Sequence, residues 1–115
     1  MNDKGVVVNN PDSGKMLRHF KDGSTRNVAD LPSVYIGKGI YKPGWRWSLH
    51  AGPQTNKVSQ KHIGYVLTGK MHIQDNNGKK LTAGAGDSFE VGTNHDAWVI
   101  GNEPCVALDF EFRTE

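Results

Sequence analysis

The chain has 115 residues, of which 36% are hydrophobic, and its formal net charge is +2 at pH 7. A chain of this length forms one compact domain with a modest core and leaves little material for a second domain. Its basic residues are scattered apart from Lys79 and Lys80, so the charge pattern does not favour nucleic acid as a partner, and we expect none.

The first thirty residues are polar and rich in Asn, Asp, Gly and Lys. We interpret residues 1–30 as an N-terminal arm with one short strand, suited to exchange with a partner subunit, and residues 31–115 as the folded domain. The apolar run Val6–Val8 is too short for a signal peptide, and no later segment reaches the ~20 apolar residues of a membrane helix. We therefore expect a cytoplasmic protein with no membrane partner.

Short strand-like runs alternate with turn signals through the rest of the chain, and no long window has helical periodicity. The segment Asp75–Gly78 (DNNG) predicts a tight hairpin, because Asn and Gly tolerate positive φ. Strands this short and closely spaced indicate an all-β sandwich or barrel. The predicted strands are Ser33–Lys42, Trp45–His50, Lys61–Leu67, Lys70–Asp75, Lys79–Leu81, Ser88–Val91, Asp96–Gly101 and Cys105–Arg113.

Three histidines, His50, His62 and His95, lie at or near the ends of these runs. Because strand side chains alternate between two faces, each histidine shares its face with small or polar neighbours, and the bulky residues take the other face. In PGWRWSLH, for example, His50 shares a face with Arg46. This arrangement suggests a metal ion held between strands.

These phrases resemble the cupin superfamily, small β-barrels whose two sequence motifs supply metal ligands. The first motif reads glycine, five residues, His-x-His, a short gap, Glu, six residues, glycine; the second reads glycine, five residues, Pro-x-Gly, two residues, His. On the first motif fall Gly44, His50, His62 and Gly69, and the second begins at Gly86. The resemblance covers roughly residues 34–112, and PGWRWS, GYVLTGKMH and HDAWVIGNEPC are similar to small single-domain bacterial cupins. It implies an RmlC-like, cupin-type double-stranded β-helix, or jelly-roll barrel, behind the arm.

The chain departs from both motifs in its ligands. Gly52 replaces the second histidine of the first motif, His62 replaces its glutamate, and Ala97 occupies the histidine position of the second motif. His95 lies two residues before Ala97 and can point the same way, because strand side chains repeat every two residues. The metal ligands that the resemblance implies are His50, His62 and His95, with His72 as a candidate fourth.

Imidazole ligands suit one divalent transition metal, Fe, Ni, Zn or Cu, and the lost carboxylate argues against Mg or Ca. Arg46, on the face of His50, is our candidate for holding a substrate carboxylate, and an ordinary ion pair is an equal alternative. Gln60, on the face of His62, is our candidate for a hydrogen bond to the ligand or to metal-bound water. A solvated loop residue is the alternative there. The polar segment 51–61 is suited to cap the mouth of the barrel.

Two classes of function stay open. The first is a metal-dependent enzyme, dioxygenase-like or isomerase-like, acting on a small organic molecule inside the barrel. The second is a non-catalytic module that binds or senses a small ligand, since one fold serves both uses. No general acid or base is obvious near the histidines, so no catalytic residue is assigned. Relic histidines in a purely structural dimer are a third possibility.

Two further features bear on packing. The alternation places Trp45 and Trp47 together on the outer face, away from His50, and so predicts an apolar patch suited to a homodimer contact. The single cysteine, Cys105, lies in the apolar run PCVALDF and is predicted to be a buried thiol and not a nucleophile. One cysteine cannot form an internal disulfide, which fits a reducing compartment.

Overall fold

The computed structural model describes residues 5–13, 17–56 and 58–113. Within them, nine antiparallel strands form two sheets, which confirms the all-β prediction. The six-stranded sheet has the order β1-β2-β3-β9-β4-β7, and the three-stranded sheet has the order β6-β5-β8. The strands are β1 Arg18–His19, β2 Thr25–Asp30, β3 Val34–Tyr41, β4 His62–Thr68, β5 Lys70–Gln74, β6 Lys80–Gly84, β7 Ser88–Val91, β8 Asp96–Val99 and β9 Cys105–Phe112.

The predicted arm contributes to the larger sheet of its own chain. A short 3-10 helix covers Pro11–Ser13, and β1 pairs with β2. Strand β2 pairs with β3 along its whole length, from Thr25 opposite Ile40 to Asp30 opposite Tyr35. The arm therefore holds two strands where the sequence predicted one. The division at residue 30 and an exchange between subunits stay predictions, and residues 1–4 and 14–16 of the arm lie outside the described residues.

The predicted strand Trp45–His50 is wrong. Only Arg46 makes an isolated bridge, to Trp98, and the chain then forms a π-helical turn, Trp47–Ala51, followed by the short helix α1, Gly52–Thr55. Pro53 lies in the first turn of α1, where its missing N–H and fixed φ suit a helix start. The alternation in WRWSLH follows a strand period, but tertiary contacts and this helix start decide the local conformation.

The predicted outer tryptophan face is also wrong. Trp45 is buried, with only 4% of its surface exposed, and its ring packs 4.3 Å from the ring of Tyr41 and 5.7 Å from that of Phe20. Trp47 is partly buried and packs against the same core. The two tryptophans therefore do not support the expected homodimer, which stays a prediction.

The DNNG hairpin is confirmed between β5 and β6. Gly78 has a φ of +89°, and its N–H donates to the Asp75 carbonyl oxygen at 3.1 Å. The Asp75 carboxylate accepts from the backbone N–H groups of Asn77 and Lys79. Gly78 adopts the left-handed conformation, and Asp75 accepts from the backbone amides of the turn. These two local features explain why four residues were enough to predict the hairpin.

Between the two sheets lies the hydrophobic core, in which Val66 and Cys105 are completely buried. The larger sheet contributes Tyr41, Val66, Cys105 and Ala107, and the smaller one contributes Met71, Ala83, Ala97 and Val99. No helix in the described ranges is long and apolar enough to cross a membrane.

The burial of Cys105 predicts an inert thiol. Removal from water disfavours the thiolate and raises the pKa of this group to about 11. Because the thiolate is the reactive form, roughly 0.1% of the group is ionised at pH 8. We expect a disulfide reagent to leave Cys105 unmodified in the native protein and to modify it at once in denaturant, as followed by mass spectrometry. Rapid labelling of the native chain would contradict this burial.

Candidate functional site

A cavity of about 370 Å³ opens between the sheets. Its walls are largely apolar and aromatic, with Phe20, Tyr41, Trp45 and Trp47 on one side. His62 and His95 are among its polar lining residues, as are Arg26 and Asp109, and the charged residues Arg18, Lys61 and Glu111 also line it. A concave, mainly apolar space with a few convergent polar groups is the usual form of a small-molecule site.

Two of the predicted ligands, His62 and His95, meet in this cavity. His62 is the first residue of β4 and lies opposite Val91, the last residue of β7. The chain then turns at Asn94, which has a φ of +60°, and His95 immediately precedes β8. Two hydrogen bonds to Ser59 stabilise this turn. The Asn94 N–H donates to the Ser59 carbonyl oxygen, and the Ser59 hydroxyl donates to the His95 carbonyl oxygen. The two imidazole rings contact edge to face, with their centroids 5.2 Å apart.

Both imidazoles are anchored through the same ring nitrogen. Nδ1 of His62 lies 3.1 Å from the Gln60 carbonyl oxygen, and Nδ1 of His95 lies 2.8 Å from that of Gly92. A carbonyl oxygen can only accept, so Nδ1 is the donating nitrogen of each ring, and in the neutral imidazole Nε2 holds the lone pair. Burial lowers the pKa of His95 by disfavouring its charged form, the hydrogen bond to Gly92 opposes this, and the nearby His62 lowers the pKa further. The net shift is downward and favours a neutral His95.

The structure does not bring the other predicted ligands to this cavity. His50 lies within the π-helical turn that was expected to be a strand, and its Nδ1 accepts from the backbone N–H of Arg46 at 3.0 Å. On β5, Met71 and Ile73 line the cavity, so His72 between them points to the opposite face. There its Nδ1 lies 2.9 Å from the Thr82 hydroxyl, and its ring contacts that of Trp98.

The predicted carboxylate clamp, Arg46, is engaged on the outer face. Its Nε donates to Asp96 at 2.8 Å, and its Cζ lies 4.2 Å from the ring centroid of Trp98. Asp96 also accepts from the Ser48 hydroxyl and the Ser48 backbone N–H. Burial opposes ionisation of Asp96, but these hydrogen bonds outweigh it and hold the pKa of the carboxyl below its ordinary value. The ion-pair alternative therefore describes Arg46, and this pair fastens the π-helical turn to β8.

Gln60 lies at the cavity, as its shared face with His62 predicted. It is exposed to solvent, and its side-chain amide donates to the Val58 carbonyl oxygen at 3.3 Å. Thr55, Val58 and Ser59, from the same connection, also line the cavity. The described residues of segment 51–61 therefore contribute to the wall of the cavity. Whether the segment caps the barrel stays a prediction.

Sequence reasoning missed a second polar group in the cavity: Arg26, Tyr41 and Asp109. Arg26, on β2, pairs with Asp109, on β9, through two hydrogen bonds of 3.0 Å and 2.6 Å. Burial lowers the pKa of Arg26, but the Asp109 carboxylate outweighs it and the pKa is raised. Burial, reinforced by the charge of Asp109, raises the pKa of Tyr41 and keeps its hydroxyl protonated. We call these three residues the polar trio.

Two glycines of β3 make room for the polar trio. A Cβ on Gly37 would lie 2.4 Å from Nη2 of Arg26, and a Cβ on Gly39 would lie 2.3 Å from the Tyr41 hydroxyl. Gly37 is opposite Asp109 on β9, and Gly39 is opposite Arg26 on β2. The guanidinium therefore lies over Gly37, and the phenol lies over Gly39.

One signal in the sequence pointed to part of this group. In CVALDFEF, the residues Cys105, Ala107 and Asp109 share the buried face of β9, so a carboxylate lies on an otherwise apolar face. Charged residues are seldom buried without a partner, which marks Asp109 as a candidate site residue. Its partner could not be found in the same way, because Arg26 is 83 residues away in a segment that was interpreted as an arm.

The donor set of the cavity supplies two imidazoles for a metal ion. In the parts of the chain that the structure describes, no group of three or more His, Cys, Asp or Glu side chains is arranged to hold one. Two imidazoles that are hydrogen-bonded through Nδ1 present Nε2 as the ligand atom, and imidazole ligands suit Fe, Ni, Zn or Cu. The residues present therefore fit an ion whose remaining positions are filled by water or by a ligand.

Residues 41–111 match the Cupin domain family, and the chain belongs to that family. The match runs from Tyr41, the last residue of β3, to Glu111, the last but one residue of β9. The predicted cupin resemblance is thereby confirmed. No curated protein sequence matches the chain.

Solved structures confirm the jelly-roll, double-stranded β-helix type of fold. A cupin-superfamily sugar phosphate isomerase from Silicibacter pomeroyi is 15% identical, with a TM-score of 0.67, over 94% of this chain and 76% of that one. An RmlC-like cupin from Shewanella frigidimarina is 18% identical, with a TM-score of 0.63, over 86% and 84%. Fe(II)-HppE, solved with an alternative substrate, is 16% identical, with a TM-score of 0.63, over 96% and 62%. At these identities the likeness concerns the fold alone.

Proposed function

We propose that this cupin binds a small organic molecule in the cavity between its sheets, beside one divalent transition metal ion, Fe, Ni, Zn or Cu, held by His62 and His95. The observation that carries the proposal is the pair of imidazoles at 5.2 Å, each with Nδ1 hydrogen-bonded to a backbone carbonyl oxygen. Metal-binding histidines characteristically donate their other ring N–H to such an oxygen, which fixes both the tautomer and the ring orientation.

The surrounding residues support the same use of the site. The lowered pKa of His95 favours the neutral imidazole that a metal ion requires. Gln60, at the edge of the cavity, offers a carbonyl oxygen to a bound ligand or water. An ion at this place would act as a Lewis acid that polarises a ligand oxygen. A bound ion is further supported by one of the structurally similar proteins, which is described as Fe(II)-HppE.

A second candidate function is a metal-free module that binds or senses a small ligand. The observation that favours it is the number of donors, since catalytic zinc sites have three protein ligands and the described residues supply two imidazoles here. In that case His62 and His95 would hydrogen-bond the ligand directly through Nε2. Both candidates place the ligand in the same cavity, and they differ in whether an ion is bound.

Metal content per chain separates the two candidates. We expect untagged protein, purified without chelator and reconstituted anaerobically, to hold close to one ion, measured by plasma mass spectrometry. His62→Ala and His95→Ala should each lower that content at least about tenfold, because each removes one of two protein ligands.

His50→Ala and His72→Ala are the matched controls, since both imidazoles lie outside the cavity. They should keep the metal content of the wild type. Equal occupancy in all four variants would refute the assignment of His62 and His95, and no metal in the reconstituted wild type would favour the metal-free module.

A further inference from the structure

The polar trio lines the same cavity as His62 and His95, and its hydrogen-bonding groups indicate which class of ligand the cavity binds. We propose that Arg26, Asp109 and Tyr41 form a subsite for an uncharged group that both donates and accepts hydrogen bonds, of which a carboxamide or a hydroxyl is the simplest. This inference rests on the proposed function, because it names the class of ligand that the same cavity takes.

Charge balance is the first argument. Nε and Nη2 of Arg26 both donate to the Asp109 carboxylate, so the positive and negative charges cancel within one pair. The side chains are 20% and 12% exposed, which leaves little water to screen an added charge. A ligand carboxylate would approach Asp109 as well as Arg26 and would be repelled by it, and a ligand cation would meet the converse problem. An uncharged polar group has neither cost.

Unused hydrogen-bonding capacity is the second argument. Tyr41 is 9% exposed and lines the cavity, and its hydroxyl has no partner among the described residues. Nη1 of Arg26 is likewise without a partner in the described part of the chain, and the Asp109 oxygens keep lone pairs beyond the two bonds from Arg26. Two donors thus lie beside an acceptor. Neither donor atom is fully buried, so each can be reached from the cavity and can donate to a ligand oxygen.

The shape of the backbone supports a built subsite. Gly37 and Gly39 provide the space in which the guanidinium and the phenol lie, since a methyl group at either position would overlap with them. The ring of Tyr41 is further held against Trp45 and Phe20. The same aromatic rings offer a flat apolar surface next to the polar atoms. The favoured ligand therefore joins a ring or other apolar body to an amide or hydroxyl head.

Two isosteric probes test the subsite: benzamide and benzoate, which differ in the charge of the head group. Titrations into metal-stripped full-length protein, followed by amide and indole NMR signals, remove any contribution of a metal ion. We expect benzamide to shift the Trp45 indole signal at concentrations up to about 10 mM, as suits a probe of this size. The Trp98 indole, on the outer face, should not respond, and benzoate should bind at least about fivefold more weakly.

Two variants assign the effect to the trio. Tyr41→Phe keeps the ring and removes the hydroxyl, so benzamide should bind about fivefold more weakly. Asp109→Asn leaves Arg26 without its counter-charge, so the preference for benzamide over benzoate should reverse. If Asp109→Asn folds poorly, Tyr41→Phe still tests the subsite.

A wild type that binds neither probe, or that binds benzoate as tightly as benzamide, would overturn the proposed subsite. So would a Tyr41→Phe variant with unchanged affinity. Metal content, measured separately on the unstripped protein, reports on His62 and His95 alone. The subsite and the metal site can therefore fail independently.

Discussion

Asp109→Ala is expected to lower the free energy of unfolding by about 3–5 kcal/mol, because it leaves the Arg26 guanidinium buried without its partner. The two hydrogen bonds and the charge of the carboxylate are lost together. The desolvation of Arg26 remains, and burial acts against its charged form. Urea denaturation followed by tryptophan fluorescence would measure the change in the free energy of unfolding.

A double variant separates the pair from the packing around it. Replacing both partners with apolar residues of similar volume, Arg26→Met together with Asp109→Leu, removes the unpaired charge and should restore most of the lost stability. This recovery would show that the pair is retained for a purpose other than stability, in keeping with a ligand subsite. A cost below about 1 kcal/mol for Asp109→Ala would contradict the buried ion pair.

Gly69→Ala is expected to lower the free energy of unfolding by about 3 kcal/mol or more. Gly69 has a φ of +74°, which an alanine adopts only with strain. Its new Cβ would also lie 2.3 Å from the Pro104 carbonyl oxygen and 2.8 Å from the Cys105 Cα. Both contacts are with backbone, so β4 and β9 would have to separate. Thermal unfolding by circular dichroism would record the loss.

Gly86→Ala is the matched control for this effect. Gly86 begins the second motif and has a φ of +89°, but a Cβ there would meet no atom within 4 Å. This variant should show the backbone strain alone, about 1–2 kcal/mol. Equal losses in the two variants would mean that the close approach of Pro104 contributes nothing.

The sequence alone predicted the strands well where local periodicity agrees with the tertiary contacts. Strand β9 alternates along Cys105–Phe112 between the core and the outer face, and the predicted strand differs from it by one residue. The hairpin at Asp75–Gly78 followed from turn chemistry that acts within four residues. The prediction failed at Trp45–His50, where an alternating pattern met a helix start at Pro53 and a tertiary bond from Ser48 to Asp96.

The candidate site was predicted only in part for the same reason. The motif spacing identified His62 and His95, which the pairing of β4 with β7 brings together. It also suggested His50 and His72, which the fold directs elsewhere. The face of a residue on its own strand is a local property, whereas the identity of its neighbours depends on which strands pair.

The sequence by itself determined the all-β class and the burial of Cys105, because both are encoded in short-range patterns of apolar and turn residues. The cupin family followed from the resemblance of its motifs and phrases to that family. Only the tertiary structure decided which histidines share a cavity and that Arg26 reaches Asp109, 83 residues away, across Gly37. The contact between Arg26 and Asp109 depends on the sheet order β2-β3-β9. No single segment of the sequence specifies that these strands are neighbours. Side chains that are distant in sequence meet through strand pairing, and a local period carries no information about that pairing.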